Sequence, residues 1–214
     1  MELESINKSL ALEEKSEDTY EFPNFYFSLP DSRFYFKKIN LETGTINYII
    51  SPFQNAKKLF FNALTGLEIP KDKPSDLSFL RYDIVYKPEQ IIPKFDGTLE
   101  EFVNKNNLEK YSYFTLFENI FKKYYSVKVT EIPEKIKQYL SFILFLNKEG
   151  LIYIFDYKYE VISEKMREKL WVIFSDFCKK NDKIGLVPEN NMNIKSDNLY
   201  YIKKMGENEY FGCQ

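Results

Sequence analysis

LSFILFLNKEGLIYIFDYKYEVI, residues 140–162, is the most apolar and most β-like stretch of the chain, and its reading decides the fold. Residues 140–146 are almost all apolar, Asn147-Lys148-Glu149-Gly150 interrupts them, and residues 151–155 resume with β-branched and aromatic side chains. Two such runs joined by a short glycine-containing loop read as a β-hairpin. Both runs are apolar at consecutive positions, which suits central strands covered on both faces. Periodicity alone does not separate this pattern from a buried helix, and the Lys148-Glu149-Gly150 turn decides for strand. A membrane hairpin is disfavoured, because a spanning helix needs about 20 continuous apolar residues. The expected fold class is α+β: a mixed, mainly antiparallel sheet with a central hairpin over 140–156, packed by amphipathic helices at 52–64, 111–125 and 164–180.

Working outward, residues 24–29, 33–39 and 45–50 are aromatic or β-branched runs separated by turn residues, and read as a three-stranded antiparallel meander. Ser51, Pro52 and Gln54 then make a helix start, followed by a stripe of Phe53, Ala56, Leu59, Phe60, Ala63 and Leu64. Residues 77–86, with Ile84-Val85-Tyr86 at their end, read as a strand that Pro88 ends, and Thr98 with Glu101 is a capping-box signal for a helix over 99–106. Phe114, Phe117, Phe121 and Tyr124 carry helical spacing over 111–125. Pro133 opens a short helix over 134–139. Ser163 caps a helix over 164–180 with Met166, Leu170, Ile173, Phe174 and Phe177 inward, and residues 184–187 and 199–203 are late strands. Residues 1–20 read as a flexible arm and 21–214 as a single domain, or as two subdomains dividing near 94–98.

Composition narrows the chemistry. In 214 residues there are no histidines, which removes the usual neutral-pH base, the commonest transition-metal ligand and both Ser-His-Asp and Cys-His catalysis. Net charge is −2, and Arg33, Arg81 and Arg167 are the only arginines among 30 basic residues, which argues against sequence-reading of DNA. The wealth of Lys, Asn, Ile, Phe and Tyr is what AT-rich codons produce, so 17 Tyr and 20 Phe are not by number a stacking surface. Cys178 and Cys213 make no disulfide framework, and the acidic N-terminus lacks a signal core, which points to a cytoplasmic protein. The seven glycines are scattered and form no glycine-rich phosphate loop.

One candidate site lies at the far end of the central stretch, where Asp156 and Lys158 project from the same strand face. This pair resembles the last part of the PD-(D/E)xK nuclease motif, whose acid holds a divalent metal and whose lysine assists the attack on phosphate. That family also needs an acid on the preceding strand, and residues 140–146 supply none. Lysines beside aromatics at 34–38, 122–125 and 200–204 suit single-strand binding, against a plainer reading as half-buried Tyr with solvated Lys.

By elimination the sequence points to a non-enzymatic protein-binding module of the inhibitor, immunity or phage counter-defence type. It would dock a basic nucleic-acid-processing enzyme or toxin through acidic and aromatic side chains, with Tyr35, Tyr157, Tyr159 and Tyr210 as contact residues. No cofactor, metal or membrane partner is expected. The second reading is a nucleic-acid-binding protein, with or without cleavage at Asp156 and Lys158.

Overall fold

The chain runs β1 (Thr19–Phe22), β2 (Phe25–Leu29), β3 (Ser32–Phe36), β4 (Ile39–Glu42), β5 (Ile46–Ile50), α1 (Gln54–Thr65), β6 (Ile84–Tyr86), α2 (Leu99–Lys105), α3 (Glu118–Phe121), α4 (Glu134–Leu146), β7 (Ile152–Ile154), α5 (Glu164–Lys180), β8 (Ile184–Glu189) and β9 (Leu199–Lys204). It is a computed structural model that describes residues 19–22, 25–29, 32–36, 39–65, 84–86, 95–156, 163–189 and 198–204. The arm expected over residues 1–20 falls almost wholly outside these.

The hairpin expected over 140–156 does not form. Residues 140–146 are the second half of α4, and only Ile152–Ile154 is a strand. The reason is burial: Ile136, Tyr139, Leu140, Ser141, Phe142, Ile143, Phe145 and Leu146 are all buried, so the helix is covered round most of its circumference and its 3.6-residue period disappears from the sequence. The helix expected over 111–125 is also broken up, into turns, the four-residue α3 and a 3₁₀ turn at Lys122–Tyr124.

Among the described residues, seven strands form one sheet in the order β2-β3-β9-β5-β8-β7-β6, and β1 pairs with β4 in a separate antiparallel ribbon. The β2–β3 and β3–β9 pairs are antiparallel. The pairs β9–β5, β5–β8, β8–β7 and β7–β6 are all parallel. The sheet is therefore mostly parallel, not mainly antiparallel, and the expected meander fails at its third strand because β9 lies between β3 and β5.

Parallel strands need crossover connections, and here helices on both faces supply them. On one face α1 packs its Ala56, Phe60, Phe61 and Leu64 with Ile49, Ile152, Ile154, Ile184 and Leu186. On the other, α4 and α5 pack on Tyr153, Phe155 and Val187. Alternate residues of β7 and β8 thus serve opposite cores, which explains why these strands are apolar without a gap. Gly185 lies under α5, where a Cβ would collide with Ile46 and come 3.0 Å from the Phe174 ring. Three elements match their sequence signals closely: α2 with its capping box, α5 capped by Ser163, and the strand β8. Of the strand expected over 77–86, β6 is the part within the described residues.

Candidate functional site

Parallel strands bring their carboxyl ends to one edge, where open α/β sheets bind ligands. Here that edge is made by β5, β8 and β7, with α1 and α5 entering from opposite faces. Ile50 is in register with Glu189, the Ser51 amide donates to the Glu189 carbonyl at 3.2 Å, and the Phe155 amide donates to the Leu186 carbonyl at 2.9 Å. These bonds set Ser51, Asp156 and Glu189 at the ends of neighbouring strands.

Lys57, one turn into α1, is only 6% exposed. Burial pushes its ammonium below the usual 10.5, while Glu189 and Asp156 pull it back up. Glu189, 7% exposed, accepts from Arg167 of α5, Nη2 to Oε2 at 3.2 Å. Tyr48 of β5 lies beside the same pair: burial raises its hydroxyl pKa, Glu189 raises it further and Arg167 opposes. α1, α5 and the carboxyl ends of β7 and β8 therefore bring Lys57, Arg167, Asp156 and Glu189 to one mutually compensated cluster. Trp171 walls it, with ring centroids 5.8 Å from both Tyr48 and Phe155.

The turn between β5 and α1 has the spacing of a phosphate loop. That loop reads G-x-x-x-x-G-K-[ST] between a strand and a helix, with backbone amides and the lysine on phosphate and the hydroxyl on Mg²⁺. Here the eight positions are Ser51-Pro52-Phe53-Gln54-Asn55-Ala56-Lys57-Lys58, so the lysine keeps its place while both glycines and the hydroxyl residue are replaced. The turn is also closed on itself. Ser51 Oγ accepts from the Phe53 amide at 3.2 Å, and the Phe53 carbonyl accepts from the amides of Ala56 and Lys57 at 3.1 and 3.2 Å. Mg²⁺ does not fit this donor set: the Lys58 side chain has no oxygen to give it, the Asp156 charge already acts on the Lys57 ammonium, and no group of three acidic or thiol side chains among the described residues could hold a metal.

Of the residues singled out from the sequence, Asp156 stands at this edge, but Lys158, Tyr157, Tyr159 and Tyr210 lie outside the described residues. Tyr35 is half-buried on β3, opposite Tyr26 and Lys203, on the far side of β9 from β5. Its neighbours Phe34 and Phe36 are core residues. Cys178 is buried and burial pushes its thiol up, as suits a core residue. Sequence reasoning missed Lys57, Arg167 and Glu189. Without its glycines, the only trace of a phosphate loop in the sequence is a lysine seven residues after Ile50, the end of a strand that leads into a helix.

No protein-family model matches the chain, and no curated protein does. Solved structures do match. One described as RNase-L Inhibitor superposes with a TM-score of 0.62 at 18% identity, over 89% of this chain and 40% of that one. A putative ABC transporter ATP-binding protein from Pyrococcus furiosus gives 0.63 at 14% identity, over 86% of this chain and 96% of that one. The ribosome-bound archaeal Pelota and ABCE1 assembly contains a chain matching at 0.65 and 17% identity, over 89% of this chain and 35% of that one. The present chain thus spans less than half the length of the first and third. These likenesses show a fold shared with the matched structures, one of them described as an ABC transporter ATP-binding protein. That fold overturns the expectation of a non-enzymatic inhibitor, immunity or counter-defence module, which rested on the absence of a recognisable chemical motif. The nucleic-acid-binding or nuclease alternative likewise draws no support from these neighbours. Among the described residues no helix is long and apolar enough to cross a membrane.

Proposed function

We propose that the chain is a nucleotide-binding domain of the ATP-binding-cassette kind, which takes the phosphates of a nucleoside polyphosphate at the β5–α1 turn. The observation that carries this is Lys57: it occupies the lysine position of the phosphate-loop spacing, on the carboxyl edge of a parallel sheet, in a fold shared with ATP-binding proteins. Lys57 is the primary phosphate contact, and the positive end of the α1 dipole adds to it. Asp156 and Glu189 hold the ammonium in place before the ligand arrives.

The departures at Ser51, Ala56 and Lys58 favour holding a nucleotide over turning it over. Phosphoryl transfer depends almost wholly on positioning and electrostatics. Side chains in place of glycines keep phosphate from the close backbone approach that such positioning uses. A protein partner fits the same reading, since the matched ABCE1 structure is itself ribosome-bound beside Pelota.

Titration with ATP and ADP by calorimetry tests the proposal. Saturable binding is expected, and Lys57→Gln, which keeps a polar side chain of similar reach, is expected to weaken it about tenfold through loss of one charge-assisted contact. Circular dichroism checks that the variant is folded. Absence of saturable binding by the unaltered protein at millimolar nucleotide would overturn the proposal.

A further inference from the structure

Resting on that nucleotide-site reading, we infer that binding here is independent of a divalent metal, with the Lys58 ammonium supplying charge where a Mg²⁺-ligating hydroxyl would stand. In the G-x-x-x-x-G-K-[ST] spacing the last residue gives its oxygen to Mg²⁺, and that position in this chain is Lys58. An ammonium has three donors and no acceptor, so it cannot ligate a cation and repels one. It is exposed at the start of the second turn of α1, next to Lys57, and its stem is long enough to swing towards a ligand lying across the helix start.

The remaining oxygen ligands are spoken for. Asp156 and Glu189 both act on the Lys57 ammonium, and Glu189 is bonded to Arg167 at 3.2 Å. Recruiting Asp156 to a metal would take a compensating carboxylate away from a buried cation, which is unfavourable. The cluster with Lys58 holds three cations, Lys57, Lys58 and Arg167, against the two carboxylates Asp156 and Glu189, an excess that suits a bare polyphosphate. Free ATP carries more negative charge than its Mg²⁺ complex, so the ligand that matches this site is the metal-free nucleotide or another polyphosphate anion.

The test is ATP affinity measured in EDTA and again in excess Mg²⁺, on the unaltered protein and on Lys58→Ser. The expected result is binding in EDTA at least as tight as in Mg²⁺, with Lys58→Ser losing about tenfold in EDTA and much less in Mg²⁺. Lys58 is exposed, so the substitution leaves the fold intact. Binding by the unaltered protein that falls tenfold or more on chelation would overturn the inference while leaving the nucleotide site standing. Binding in neither condition would overturn both.

Discussion

Gly185 shows how narrowly single residues are constrained in this sheet. Its missing side chain is what lets Phe174 of α5 lie against β8 and Ile46. Gly185→Ala is expected to lower stability by about 1–3 kcal/mol through overpacking, read as a drop in thermal midpoint. The tyrosines make a second residue-scale prediction. Burial, reinforced by the Glu109 carboxylate 3.1 Å away, pushes Tyr125 up to about 12, and burial does the same for Tyr153. Unfolded tyrosines ionise at about 10, so between the two values the folded chain retains protons that the unfolded chain has lost. The stabilisation is complete below about pH 10 and disappears as the pH rises through about 12. Denaturant midpoints should therefore fall across that window, with tyrosinate absorbance lagging that of free tyrosine until unfolding. Lys57 acts in the opposite sense, since a depressed ammonium makes stability rise as pH climbs towards 10.5.

Among the elements, those written in local chemistry were legible and those defined by distant partners were not. Thr98 Oγ1 accepts from the Glu101 amide at 3.3 Å and Glu101 Oε2 accepts from the Thr98 amide at 2.9 Å, the reciprocal cap that Thr-x-x-Glu announces. Thr98→Ala is expected to cost about 1 kcal/mol, measured by urea unfolding. Ser163 and the Met166–Leu170–Phe174–Phe177 stripe identified α5 in the same way. α4 escaped because Leu140, Phe142, Ile143 and Phe145 are all fully buried, and a half-helix covered on nearly every side shows little amphipathic period. The pairing of β5 with β8 and β9 escaped because no turn joins those strands, so no local signal records which neighbour each will take. The site was half visible. Asp156 was singled out for its place at a strand end, while Lys57, which is buried and feels the charges of Glu189 and Asp156, carried no signal in a helix read only for its apolar stripe.

For the whole molecule, the parallel sheet places its chemistry at one edge, and ligand binding there should couple to global stability. A ligand that binds only the folded state adds about 2.7 kcal/mol at a concentration a hundred times its dissociation constant. Saturating ATP is thus expected to raise the thermal midpoint of the unaltered protein and to raise that of Lys57→Gln by clearly less. Differential scanning fluorimetry with and without nucleotide reads both.

The position of β9 gives the order of assembly. This late strand lies between β3 and β5, and the Asn198 side chain donates to the Ile46 carbonyl across 152 residues. Until residues 198–204 have left the ribosome, β3 and β5 each present an unsatisfied strand edge, and the antiparallel and parallel parts of the sheet have nothing to join them. Contacts of such long range make folding slow, and an open apolar edge in the meantime invites pairing with another chain. A nascent chain stalled before β9 should therefore be held by chaperones or aggregate, and release of β9 should be the step that joins the two parts of the sheet.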